Sequence, residues 1–134
     1  MRPDQITAIR QSIQQLLLNE DMLVALFYER LFVLEPSLKD MFGSDMRAQG
    51  RKFMTMLQFV VAGLDNPDLS RDLHSLGQRH REYGVRPEHY ATVQAALQWA
   101  LEQALHEHYT TDVDQVWAAL YDLVASAMQE NPAL

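Results

Sequence analysis

Apolar residues recur at intervals of three and four along nearly the whole chain, and no stretch shows the alternation of a strand. Ile6, Ile9, Ile13, Leu16 and Leu17 mark a first amphipathic helix over roughly residues 3 to 18. Asn19-Glu20-Asp21 interrupts it, and Asp21 is placed to cap a second helix over about 22 to 34. That helix carries Leu23, Leu26, Phe27, Tyr28, Leu31 and Phe32 around most of its circumference, which predicts burial on several sides. Tyr28 sits in this apolar company, and a buried phenol needs a partner for its hydroxyl.

Glu35-Pro36 stops the second helix, because the residue before proline avoids the α region. A short helical turn follows, ending near Met41-Phe42-Gly43. The next helix, about 46 to 64, turns Phe53, Met56, Leu57, Val60, Val61 and Leu64 inward, with Gln49 on the same side one turn before Phe53. Gly50 costs this helix about 1 kcal/mol relative to alanine, which suits a close crossing by another helix. Asn66 reads as a cap and Pro67 as the first residue of a helix whose face is Leu69, Leu73, Leu76 and His80. Gly84 ends it, and Pro87 opens a long helix to about His108 that buries Tyr90, Val93, Leu97, Ala100, Leu101, Ala104 and Leu105. Thr111 and Asp114 have the spacing of a capping box. The last helix carries Val113, Val116, Trp117, Leu120, Tyr121, Val124 and Met128, and Asn131-Pro132 ends it. Six to seven helices with short links predict an all-α domain.

Composition narrows the function classes. A length of 134 residues, 48% of them apolar, predicts one domain (1–134) with a real core. The absence of cysteine excludes disulfides, thiolate metal sites and thiol catalysis. A net charge of -7 argues against nucleic acid and against an anionic membrane surface, since both call for clustered Lys and Arg. No apolar run has the length of a membrane span, and the N-terminus enters a helical pattern without a signal-peptide core, so a soluble cytoplasmic protein is expected.

The chemistry-bearing feature is His80, which closes an apolar stripe just before a helix end. A neutral imidazole in an apolar wall suits ligation of a metal or a haem iron. On the stripe alone, a core histidine satisfied by a backbone carbonyl is the commoner arrangement.

Several short stretches in order carry more. They are Leu26-Phe27-Tyr28-Glu29-Arg30-Leu31-Phe32, Met41-Phe42, Gln49-Gly50-Arg51-Lys52, Leu76-Gly77-Gln78-Arg79-His80, Tyr83-Gly84-Val85, His89-Tyr90, and Trp117 with Tyr121. Together they resemble the bacterial single-domain globins and the globin domain of flavohaemoglobins over essentially the whole chain. The resemblance implies a globin fold, with its helices around a pocket for haem b (iron protoporphyrin IX). It implies His80 as the proximal iron ligand, its other ring N–H donated to a backbone carbonyl, that of Leu76. Phe42 matches the aromatic residue flat on the porphyrin, and Tyr28 with Gln49 the distal polar pair. Phe53 matches the apolar distal wall, where relatives often carry leucine, and Arg51 and Lys52 fall at the propionate edge. Val85 and Tyr90 complete the cofactor-binding set, Tyr90 matching a tyrosine that acts with a glutamate beside the proximal histidine. The nearest acid here, Glu130, stands two residues before the matching position, and Tyr90 fits a core role equally.

The five histidines, 74, 80, 89, 106 and 108, all follow residue 70, so the distal helix offers none. Met54, Met56, Tyr28 and Gln49 remain as internal groups able to approach a sixth position. His106 and His108 are two apart and face different ways, as at a solvated helix end, and His74 and His89 are expected to be exposed. The function implied is reversible dioxygen binding, in which a hydroxyl and an amide donate to a ligand carrying partial negative charge. Nitric oxide dioxygenation is the enzyme alternative, and with no flavin or nicotinamide domain expected after Leu134 it would draw on an external reductase. A haem-based gas sensor or a haem-free globin-like interaction domain is the third.

Overall fold

The structure, a computed structural model, describes residues 1–129. Six α-helices succeed one another: α1 (Pro3–Leu17), α2 (Glu20–Leu34), α3 (Met46–Ala62), α4 (Leu69–Glu82), α5 (Pro87–Leu105) and α6 (Thr111–Gln129). Short 3₁₀ turns cover Pro36–Met41 and His106–His108, and no strand occurs among the described residues. The all-α expectation therefore holds.

Packing does not follow chain order. α2 lies most extensively on α5, α4 lies on α6, and α1 reaches α3, α5 and α6. Ile9, Leu23, Leu31, Val60, Leu73, Leu101 and Trp117 are the large side chains sealed at the centre. They come from all six helices, so the apolar faces can be buried only together.

Capping chemistry moves several boundaries from their expected places. α2 starts before Asp21, with Asn19 as its N-cap. Asn66 caps a turn rather than the helix: its Oδ1 accepts from the Asp68 N–H at 2.9 Å, so Pro67 lies in that turn and α4 begins at Leu69. α5 does not reach His108, because His106 adopts φ 47° and turns the chain at Leu105. Thr110, not Thr111, holds the start of α6, its hydroxyl accepting from the Val113 N–H at 3.2 Å. Asp114 is engaged otherwise, accepting from the Tyr109 hydroxyl and from Gln98 Nε2. The expected stop at Asn131-Pro132 lies outside the described residues.

α4 is pinned by backbone contact. A Cβ on Gly77 would lie 1.8 Å from the Met128 carbonyl oxygen, so α4 and α6 meet there main chain to main chain. Arg81, one turn on, donates to the same carbonyl at 3.1 Å. His89 corrects another expectation. It is 3% exposed, and its Nδ1 accepts from the Arg86 N–H at 3.0 Å, a cap on the start of α5.

Candidate functional site

His80 stands in the last turn of α4, half-buried. Its Nδ1 lies 2.8 Å from the Leu76 carbonyl oxygen, one helical turn back. A carbonyl only accepts, so Nδ1 carries a proton, and in the neutral ring the open lone pair lies on Nε2. Below this turn the helix closes on a Schellman arrangement. Gly84, at φ 96°, donates to the Arg81 carbonyl, and Val85 donates to the His80 carbonyl, both at 3.0 Å. Val85, expected among the cofactor-binding residues, is thereby tied to the His80 backbone, and the imidazole sits on a hydrogen-bonded helix end.

The second group of site residues comes from α2, α3 and the turn between them. Tyr28, 8% exposed, sits edge-on to Phe42 with ring centres 5.4 Å apart and against Phe32 at 5.9 Å. Phe53 stacks on Phe27 at 4.6 Å and meets the Tyr28 ring at 6.2 Å. This interlocked aromatic wall leaves the phenol one polar contact. Its hydroxyl donates to the main-chain carbonyl of Gln49 at 3.4 Å. Burial pushes its pKa up to about 12, so at neutral pH it is a neutral donor. The structure thus brings Tyr28, Phe42, Gln49 and Phe53 together, with the backbone rather than the amide of Gln49 facing the hydroxyl. Arg51 and Lys52 are exposed on α3, and Met54 is buried.

Tyr90, at the start of α5, is half-buried with its hydroxyl unpaired among the described residues. Its carbonyl accepts from the Tyr121 hydroxyl at 2.5 Å. Glu130, its suggested acidic partner, lies outside the described residues. A cleft of about 480 Å³ opens between α5 and α6 beside Tyr90, Gln94, Tyr121 and Asp122. It is open and shares none of His80, Tyr28 or Gln49, so the chemistry of the two groups above lies elsewhere.

Periodicity set Tyr121 on the inner face of the last helix but gave Gly77 and Arg81 no part in supporting this region. The available signal was Gly77 itself, a helix-weakening residue three places before His80 on a leucine-lined face.

The donor set bears on what His80 holds. Among the described residues no three His, Asp or Glu side chains converge on a metal position. The bond to Leu76 sets the ring of His80 with Nε2 turned away from that carbonyl, as the nitrogen open to a further partner.

The family model Globin matches residues 25–128. Neuroglobin of Chaenocephalus aceratus is 30% identical over 138 residues, covering 92% of this chain and 87% of that protein. A flavohemoprotein of Xylella fastidiosa is 26% identical over 98% of this chain but only 34% of its own length. The chain thus spans about a third of the length of the flavohemoproteins it matches. Among solved structures, an engineered carbene transferase from Rhodothermus marinus superposes with a TM-score of 0.81 at 24% identity, covering 93% of this chain and 88% of that one. With its helix order, its family match and its neuroglobin likeness in agreement, this chain belongs to the globin family.

Proposed function

We propose that this globin holds haem b through His80 and binds dioxygen reversibly on the side of Tyr28 and Gln49. The carrying observation is the His80 Nδ1 contact to the Leu76 carbonyl at 2.8 Å, which orients the ring and leaves Nε2 for iron. Haem, when bound, supplies the iron position at which a diatomic ligand sits. The protein's part is orientation, exclusion of water and hydrogen bonding. Phe42, Phe53, Leu76, Val85 and Tyr90 would hold the macrocycle between apolar surfaces, and Arg51 and Lys52, exposed on α3, suit its carboxylates. The Tyr28 hydroxyl and the Gln49 amide would donate to a ligand with partial negative charge. The aromatic wall around Tyr28 keeps water out and strengthens both bonds.

The test is reconstitution with iron protoporphyrin IX, reduction, and stopped-flow measurement of oxygen release from the parent protein and Tyr28→Phe. Loss of one donor worth on the order of 1 kcal/mol or more raises release about fivefold or more. A protein that takes up no haem overturns the reading, and an unchanged rate removes Tyr28 from the ligand site. Nitrate produced on mixing with nitric oxide, with turnover sustained by an external reductase, moves the conclusion to nitric oxide dioxygenation. The R. marinus protein behind the structural neighbour carries that assignment.

A further inference from the structure

α2 and α3 come close together where Gly50 faces Val24: a Cβ at position 50 would lie 2.6 Å from Val24 Cγ1. No real Cβ tolerates that distance, and a β-branched valine in a helix has little rotamer freedom with which to retreat. Tyr28 follows Val24 by one helical turn, and Gln49 immediately precedes Gly50. The same crossing that presses Val24 on Gly50 therefore sets the 3.4 Å from the Tyr28 hydroxyl to the Gln49 carbonyl.

That distance has consequences because a phenol has one proton to donate. Directed at the Gln49 carbonyl, the proton is not available to a ligand. The Tyr28 ring cannot move to resolve the competition, being wedged between Phe32 and Phe42. Hydroxyl hydrogen bonds usually span about 2.5–3.0 Å, so a 3.4 Å contact is weak, and a shift of a few tenths of an ångström in α3 either makes or abolishes it.

We propose that Gly50 is a positioning residue whose contact with Val24 decides how the Tyr28 proton is divided between the Gln49 main-chain carbonyl and a bound ligand. This rests on the ligand site proposed above. Gly50 touches no ligand itself. It sets the spacing of two helices, and the spacing sets the strength of the competing acceptor.

Two substitutions move that spacing in opposite directions. Gly50→Ala inserts a methyl group against Val24, displaces α3 and withdraws the carbonyl, so oxygen release from the haem-reconstituted protein slows about threefold, as expected for a fraction of one hydrogen bond. Val24→Ala removes the obstructing atoms, lets α3 settle closer and speeds release by a similar factor. It adds no bulk, so it is read even if Gly50→Ala proves too unstable to reconstitute. The double variant Val24→Ala/Gly50→Ala returns toward the parent rate. The deciding measurement repeats each substitution in the Tyr28→Phe background, where release no longer responds if the effect runs through the phenol. Equal changes with and without the hydroxyl, or no change in either background, overturn the inference while leaving the ligand site standing. If Tyr28→Phe alone leaves release unchanged, the role of Tyr28 at the ligand site fails, and the inference with it.

Discussion

His80 Nδ1 and the carbonyl oxygen of Leu76 lie 2.8 Å apart, one turn apart on the same helix. α4 continues past Leu76 to Glu82, so that carbonyl already belongs to the helix ladder and uses its second lone pair to accept the ring N–H, which aims the ring. Replacing His80 with glycine removes the ring that the Leu76 carbonyl orients. His80→Gly is expected to lose haem retention and its Soret band, and added imidazole to restore both. Retention equal to the parent without imidazole would falsify the proximal assignment.

Gly77→Ala places a methyl group 1.8 Å from a main-chain oxygen of α6, and neither backbone has a rotamer to yield. Overpacking of this kind costs about 3 kcal/mol or more. Because His80 is three residues further along the same helix, haem affinity falls as well. Urea denaturation of haem-free and haem-loaded protein reads both effects. A loss well under 1 kcal/mol would mean that α4 and α6 stand further apart than described.

His89→Ala removes the acceptor for the Arg86 N–H at the start of α5, in a residue that is otherwise sealed from water. A lost cap is worth about 1 kcal/mol, and the cavity adds to it. His89→Gln, with an acceptor at the third helical position, keeps the bond and recovers part of the loss. Thermal unfolding midpoints of the two variants separate the cap from the packing.

Alkaline stability follows from the tyrosines. Burial holds the Tyr28 phenol at about 12, and the phenols of Tyr109 and Tyr121 are also pushed upward, chiefly by burial. In the unfolded chain they ionise near 10, so above that pH the unfolded state has lost protons that the folded state keeps. Stability is therefore fully present below about pH 10 and falls as pH rises toward and through the folded values. Urea midpoints measured from pH 8 to 12 should decline above 10, and less steeply in Tyr28→Phe and Tyr121→Phe. A flat profile would mean that these hydroxyls are solvated.

The helices were legible in the sequence because burial on one face imposes a period that tertiary context cannot erase. Leu69, Leu73, Leu76 and His80 displayed such a face, and Gly84 with Pro87 marked where it stopped. The same reasoning misplaced the starts of α4 and α6. Asn66 and Asp114 each had several main-chain or side-chain partners within reach, and spacing alone does not choose among them. His89 was misread as solvent-facing for a related reason, since a polar residue next to a helix start can cap it and be buried by what packs above.

What the chain determined by itself is the set of helices, their apolar faces, the absence of any histidine before residue 70 and the likeness that singled out Tyr28, Phe42, Gln49, Phe53 and His80. What only the tertiary structure decided is how the helices meet: Gly77 on Met128, Gly50 on Val24, and the Tyr28 hydroxyl on a backbone carbonyl of α3. Periodicity specifies which side of a helix is buried. The approach of two helices depends on the atoms of both at the crossing, and these lie 26 and 51 residues apart in the chain, as 50 − 24 and 128 − 77 give.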